Sequence, residues 1–170
     1  MDFFELVQER RSVRVFEKTP VPADALRRIL DACNQAPSAG DLQAYEIYLV
    51  EQPGVKEALA AAAFDQEFIA TAPAALVFCA APDRARRYQE RGRTLYAIQD
   101  ATIAAAYAQL AAVNAGLATC WVGAFDEVRV RGALGLPADQ KPVAILPLGK
   151  AAETPERTPR RSIEDLVHRL

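Results

Sequence analysis

Apolar and polar residues follow one another along the chain with both helical and strand periodicities. Asp2 and Glu5 have the spacing of a capping box and predict a short amphipathic helix that ends near Arg11. The segment 12–16 alternates polar and apolar residues, which predicts a strand. Apolar residues with helical spacing over 26–33 predict a second helix, which the Ala-Pro pair after it closes.

Apolar runs of strand length recur through the rest of the chain. They predict strands at 45–50, 74–79, 118–122 and 142–148. Helices are predicted between them at about 55–63, 94–116 and 128–134, with a last short helix opened by Ser162. This order of elements, without repeats or an evident linker, predicts an α+β protein with one core and a single domain over 1–170.

The longest predicted helix carries no charge between Ala101 and Ala115. A helix that is apolar on all sides is normally buried on all sides. We therefore expect a second subunit to bury one side of this helix. A central helix buried within a monomer is the alternative. On the dimer hypothesis, Ala105→Glu or Ala112→Glu should lower the stability of the protein.

Composition excludes several classes of function. Apolar residues make up 51% and charged residues 25%, with a formal net charge of −2, which is typical of a globular protein and unlike a nucleic-acid-binding or membrane protein. The N-terminal residues do not fit a signal peptide, and the three separated cysteines resemble reduced thiols. We therefore expect a cytoplasmic protein.

Side-chain catalysis has few candidates in this sequence. His168 is the one histidine, and the eight glycines form neither a dinucleotide-binding fingerprint nor a P-loop. No metal site and no catalytic side chain are predicted. A reaction catalysed by this chain would therefore take its reactive group from a cofactor.

Three clusters could bind such a cofactor. The first is Arg10-Arg11-Ser12-Val13-Arg14, where guanidinium groups and a hydroxyl suit phosphate oxygens. The second is the loop 36–43, and the third is 120–125, where Gly123 allows close approach to the backbone. Five arginines between 83 and 93 fit either an anion site or a solvated helix face.

Together these segments resemble the nitroreductase family of FMN-dependent oxidoreductases. The motifs that carry the resemblance occur in order over essentially the whole chain: RRSVRVF, APSAGDLQ, QEFIATAP, GLATCWVGAFD followed by PLG, and RTPRRSIEDLV. The resemblance implies an α+β, three-layer fold with a central mixed or antiparallel sheet. It also implies an interlocked homodimer with FMN at the subunit interface.

The resemblance also implies roles for individual residues. Arg10, Ser12 and Arg11 would bind the FMN phosphate and ribityl chain, and Arg14 would lie near N1 and O2 of the ring. Arg160 would return to the phosphate, with Arg161 as its competitor. The other subunit would line the ring with Pro37, Ser38, Ala39, Asp41 and Gln43, and the backbone of Val122, Gly123 and Ala124 would face N5.

The chain departs from the family pattern at Asp41, where the family usually has Asn. An ionised Asp accepts hydrogen bonds but cannot donate one. If Asp41 faces the flavin, we expect Asp41→Asn to raise the flavin midpoint potential, because the variant removes a negative charge.

The implied function is transfer of a hydride from NADH or NADPH through FMN to a nitroaromatic, a quinone or a similar electrophile, in a ping-pong mechanism. The alternative is a flavin-binding sensor or storage protein without turnover. The residues do not choose between NADH and NADPH, identify the acceptor, or distinguish reduction from dehydrogenation or dehalogenation.

Overall fold

A computed structural model describes all 170 residues of the chain. The helices are α1 (Phe3–Glu9), α2 (Ala23–Asn34), α3 (Pro53–Ala62), α4 (Phe68–Thr71), α5 (Gln89–Arg91), α6 (Ala97–Asn114), α7 (Glu127–Leu134) and α8 (Ile163–Leu166). The strands are β1 (Tyr45–Val50), β2 (Ala74–Ala80), β3 (Ala118–Thr119) and β4 (Lys141–Gly149). A 3₁₀ helix (Pro82–Tyr88) and a π-helical turn (Gly92–Tyr96) flank α5.

The four strands form one antiparallel sheet in the order β1-β2-β4-β3. Every residue of β2 is buried, because helices cover both faces of this strand. Leu76 and Phe78 pack in a cluster with α2 and α6, whereas Val77 and Cys79 pack in a cluster with α3 and α7. The result is a three-layer arrangement of helices, sheet and helices.

Of the two elements predicted at the N-terminal end of the chain, the helix is confirmed and the strand is not. The capping box of α1 is present, since the Asp2 carboxylate accepts from the Glu5 N–H and the Glu5 carboxylate accepts from the Asp2 N–H. The predicted strand over 12–16 is wrong. That segment is extended but makes only isolated bridges, Ser12 with Thr119 and Phe16 with Ala151, because the Glu153 carboxylate accepts from the N–H groups of Arg14 and Val15.

The long helix α6 is buried on one side only within the protomer. Thr102, Ala106 and Tyr107 are exposed, so the alternative of a helix buried within a monomer is not met. Ala105 and Ala112 are fully buried inside the protomer. The expectation that glutamate at these two positions would test an interface is therefore wrong, because such a change would disrupt the protomer's own core.

No helix of the chain is both long enough and apolar enough to cross a membrane.

Candidate functional site

A basic cavity of about 480 Å³ lies between α1 and the C-terminal tail. The residues with polar side chains that line it include Arg10, Arg11, Ser12, Arg14, Arg157 and Arg160. The structure thus brings together the four N-terminal residues predicted for the site and Arg160 from the far end of the chain. We call this space the arginine cavity.

Its arginines differ in what else they contact. The Arg11 guanidinium donates to the carbonyls of Gln8 and Arg10, and Arg157 forms an ion pair with Glu9 at 3.0 Å. Arg14 lies with its Cζ 5.8 Å from the centre of the Phe68 ring. The Arg10 guanidinium makes no hydrogen bond or ion pair within the chain, which leaves its donors free for an anion.

The C-terminal tail places Arg160 and Arg161, the two candidates for the phosphate, in different surroundings. Arg160 lines the cavity and donates to Thr158 Oγ1 at 2.6 Å. Arg161 is outside the set of lining residues, and its Nε donates to the Asp165 carboxylate at 2.9 Å. Of the two, Arg160 alone lines the arginine cavity.

The first and third predicted clusters lie side by side. Ser12 forms a parallel bridge with Thr119, and the Val13 N–H donates to the Thr119 carbonyl at 3.1 Å. β3 then leads to Cys120, whose thiol has a pKa raised by burial, an effect that the nearby Arg14 charge opposes. The segment 120–124 therefore starts beside the arginine cavity.

The end of this segment presents a free backbone donor. Val122 is buried and pairs with Ile145 in both directions at 3.0 Å, whereas Gly123 and Ala124 are exposed. The Gly123 N–H has no hydrogen-bond partner within the chain. Gln66 donates to the Ala124 carbonyl at 3.2 Å and helps to fix the turn, a contact that the sequence did not indicate.

The second cluster lies elsewhere in the protomer. Pro37, Ser38 and Ala39 line another cavity of about 480 Å³, together with Tyr96, Gln99, Asp100, Thr102 and Ile103 of the π-helical turn and α6. None of the second-cluster residues lines the arginine cavity. One protomer thus brings the first and third predicted clusters together and keeps the second apart.

Asp41 and Gln43, the other two residues predicted for the site in the second cluster, do not line this cavity. Gln43 donates to the carbonyl and the side chain of Asn34 and lines a smaller space of about 240 Å³. Asp41 is exposed, with a left-handed φ of 56°, and lines neither of the two larger cavities. Their contact with a flavin ring stays a prediction.

Asp100 holds this loop in place, although sequence reasoning did not single it out. Its carboxylate is buried and accepts from the N–H of Ala39 at 2.9 Å and from the N–H of Ala44 at 3.1 Å. Asp100 is the single charged residue of α6. Its isolated charge in an apolar helix is the feature from which the sequence could have indicated its role.

The arginine cavity suits FMN on chemical grounds. Its volume is within the range of small-ligand sites, and its free guanidinium groups and hydroxyl match a phosphate and a polyol chain. Arg10, Ser12 and Arg160 would hold the phosphate end, and the free Gly123 N–H could donate to a ring nitrogen.

Comparison with known proteins identifies the family of this chain. Residues 7–150 match the family model described as Nitroreductase family. The chain is 33% identical to a Thermus thermophilus NADH dehydrogenase, with 94% of this chain and 91% of that protein covered. It is 30% identical to the Bacillus subtilis FMN reductase [NAD(P)H], with 94% and 70% covered.

Solved structures of similar fold support the same family. The NADPH:FMN oxidoreductase of Vibrio harveyi, complexed with NAD+, superposes with a TM-score of 0.90 at 28% identity over 98% of this chain and 76% of that one. A Clostridium novyi nitroreductase family protein superposes with a TM-score of 0.81 at 30% identity over 93% and 89%. The predicted nitroreductase-like α+β fold is confirmed, with a sheet that is antiparallel. The chain belongs to the nitroreductase family.

Proposed function

We propose that this protein is an FMN-dependent NAD(P)H oxidoreductase. The observation that carries the proposal is the arginine cavity, where Arg10, Ser12, Arg14 and Arg160 converge beside the strand that leads to Gly123. The relatives named for NADH, NADPH and FMN support the same chemistry.

The residues of this chain would bind and orient, and the cofactor would supply the redox chemistry. FMN, when bound, would supply the two-electron redox chemistry. Arg10 and Arg160 neutralise the phosphate charge. Arg14 would supply positive charge near the ring, which favours the anionic reduced form, and the Gly123 N–H would donate a hydrogen bond to the ring.

A homodimer would complete the site. Pro37, Ser38 and Ala39 lie apart from the arginine cavity in one protomer, so a ring bound at that cavity needs a second copy if this loop is to line it. Exposed apolar side chains of α1 and α6, Phe3, Phe4 and Tyr107 among them, support an assembly that covers them.

The finer part of the proposal concerns the second substrate. The reduced site would deliver electrons to a nitroaromatic, a quinone or another conjugated electrophile, and the donor and the acceptor would occupy the same space in turn. Ping-pong kinetics would follow, because one product leaves before the second substrate binds.

The test begins with the absorbance spectrum of the purified protein, followed by anaerobic titration with NADH and NADPH. We expect a bound flavin that bleaches with at least one nucleotide and recovers when a quinone or nitroaromatic is added. A flavin that resists both nucleotides would support the sensor or storage alternative. A colourless protein that fails to bind added FMN would overturn the proposal.

A further inference from the structure

Two arginines and two tyrosines contact one another in the segment between β2 and α6. The Arg87 guanidinium lies 4.8 Å from the centre of the Tyr88 ring, and the Arg91 guanidinium lies 5.5 Å from the centre of the Tyr96 ring. The two rings meet edge to face, with 5.3 Å between their centres. We call these four residues the Arg–Tyr cluster.

The positive charges of this cluster have no carboxylate partner. Arg87 donates to the Tyr88 hydroxyl at 2.8 Å, and Arg91 donates to the Tyr96 hydroxyl at 3.1 Å. In contrast, the neighbouring Arg93 is neutralised by Asp83 at 2.8 Å. The exposed guanidinium groups of Arg87 and Arg91 therefore keep donors available for an anion.

The cluster is attached to the loop that the family resemblance assigns to the flavin ring. Gly40 has a φ of 57°, and a Cβ at this position would collide with the Arg87 guanidinium and the Tyr88 hydroxyl. Tyr96 lines the same cavity as Ser38 and Ala39. In any assembly that brings this loop to a flavin, the Arg–Tyr cluster comes with it.

Guanidinium groups and aromatic rings together suit the adenosine end of a nicotinamide nucleotide. An adenine base stacks on aromatic rings and guanidinium planes, and a phosphate monoester with nearly two negative charges pairs with arginine. NADPH differs from NADH only by such a phosphate, on the 2′ position of its adenosine. We propose that the Arg–Tyr cluster binds the 2′-phosphoadenosine end of NADPH and makes NADPH the preferred donor.

This inference rests on the proposed function and is tested first by binding. The FMN-saturated protein is titrated calorimetrically with 2′,5′-ADP and with 5′-AMP, so that the flavin phosphate site is already filled. We expect tighter binding of 2′,5′-ADP, and about a tenfold or greater loss of this binding in Arg87→Gln or Arg91→Gln. Arg28→Gln removes the same charge from an exposed site on α2 and should leave the binding unchanged.

Steady-state kinetics then separate the two levels of the proposal. In the wild type the KM for NADPH should be lower than that for NADH, and Arg87→Gln or Arg91→Gln should raise the KM for NADPH about tenfold with little effect on NADH. If NADH and NADPH both reduce the flavin but 2′,5′-ADP binds no better than 5′-AMP, or neither variant changes the preference, the Arg–Tyr assignment is wrong while the oxidoreductase function stands. If neither nucleotide reduces the flavin, the proposed function itself fails.

Discussion

Asp100 of α6 accepts a hydrogen bond from the backbone N–H of Ala39 at 2.9 Å, in the loop between α2 and β1. Its second oxygen accepts from the N–H of Ala44 at 3.1 Å, so one buried carboxylate fixes the loop at its middle and at its end before β1. Asp100 and Ala39 are 61 positions apart in sequence. This bond makes the predicted ring-lining loop an extension of the rigid core.

Asp100→Asn should loosen that loop. An amide has one acceptor oxygen, so one of the two backbone N–H groups would face an NH2 group instead. We expect a loss of about 1.5–3 kcal/mol in the free energy of unfolding and weaker FMN binding. Urea denaturation and FMN titration measure the two effects, and an unchanged free energy of unfolding would contradict the role assigned to Asp100.

Arg10 and Arg160 should contribute to FMN affinity, whereas Arg161 should not. Arg10→Ala or Arg160→Ala removes a charge-assisted phosphate contact, which is worth about 1.5–3 kcal/mol, or roughly tenfold or more in Kd. Arg161→Ala is the matched control, because its guanidinium is paired with Asp165.

Fluorescence quenching of FMN gives the three dissociation constants. Hydride transfer in the Arg10→Ala protein, kept saturated with FMN, should change less than its affinity. Equal losses from the Arg160 and Arg161 variants would show that tail charge, not a specific contact, matters.

Asp41→Asn should raise the flavin midpoint potential. The variant removes a negative charge and keeps the side-chain shape, and Asn tolerates the left-handed φ of 56°. Because Asp41 is exposed, solvent screens its charge, and we expect at most about 30 mV, equivalent to about 1.4 kcal/mol for two electrons. Spectroelectrochemical titration beside Asp24→Asn, an exposed charge on α2, decides the question, and a potential that stays the same or falls would mean that Asp41 does not face the ring.

The exposed side of α6 should lie in the dimer interface. Ala106→Glu places a charge on this side without entering the protomer core, so it should shift a dimer to monomers and release FMN. Ala58→Glu on the exposed side of α3 is the control. Sedimentation velocity reads the outcome, and a wild-type monomer that still holds FMN would remove the dimer hypothesis.

The buried thiols should make stability fall at alkaline pH. Burial raises the pKa of Cys33 and of Cys79 to about 12, whereas an unfolded thiol ionises near about 8.5. The unfolded chain therefore loses protons first, and stability that is complete below about pH 8.5 declines as the pH approaches 12.

We expect each thiol to cost about 1–2 kcal/mol at pH 10. Urea denaturation of the wild type and of Cys79→Ala at pH 7.5 and pH 10 measures this cost. The variant should lose less stability between the two pH values than the wild type does, and identical losses would contradict the assignment to Cys79.

The local pattern of the sequence by itself determined most of the elements and the order of the candidate clusters. The capping box of α1 and the apolar runs of β1, β2 and β4 are signals within a few residues, and each appears where it was predicted. The family motifs are equally local, and the family they indicated is confirmed.

Only the tertiary structure decided how the clusters meet. The segment 12–16 alternates polar and apolar residues like a strand. However, the carboxylate of Glu153, which is 138 positions from Val15, accepts from the N–H groups of Arg14 and Val15, so the segment makes only isolated bridges. Arg160 and Arg161 are adjacent and chemically identical, and only the path of the tail turns one toward the cavity and the other toward Asp165. Long-range hydrogen bonds and ion pairs join residues whose separation carries no periodic signal, so these contacts become visible only when the chain is folded.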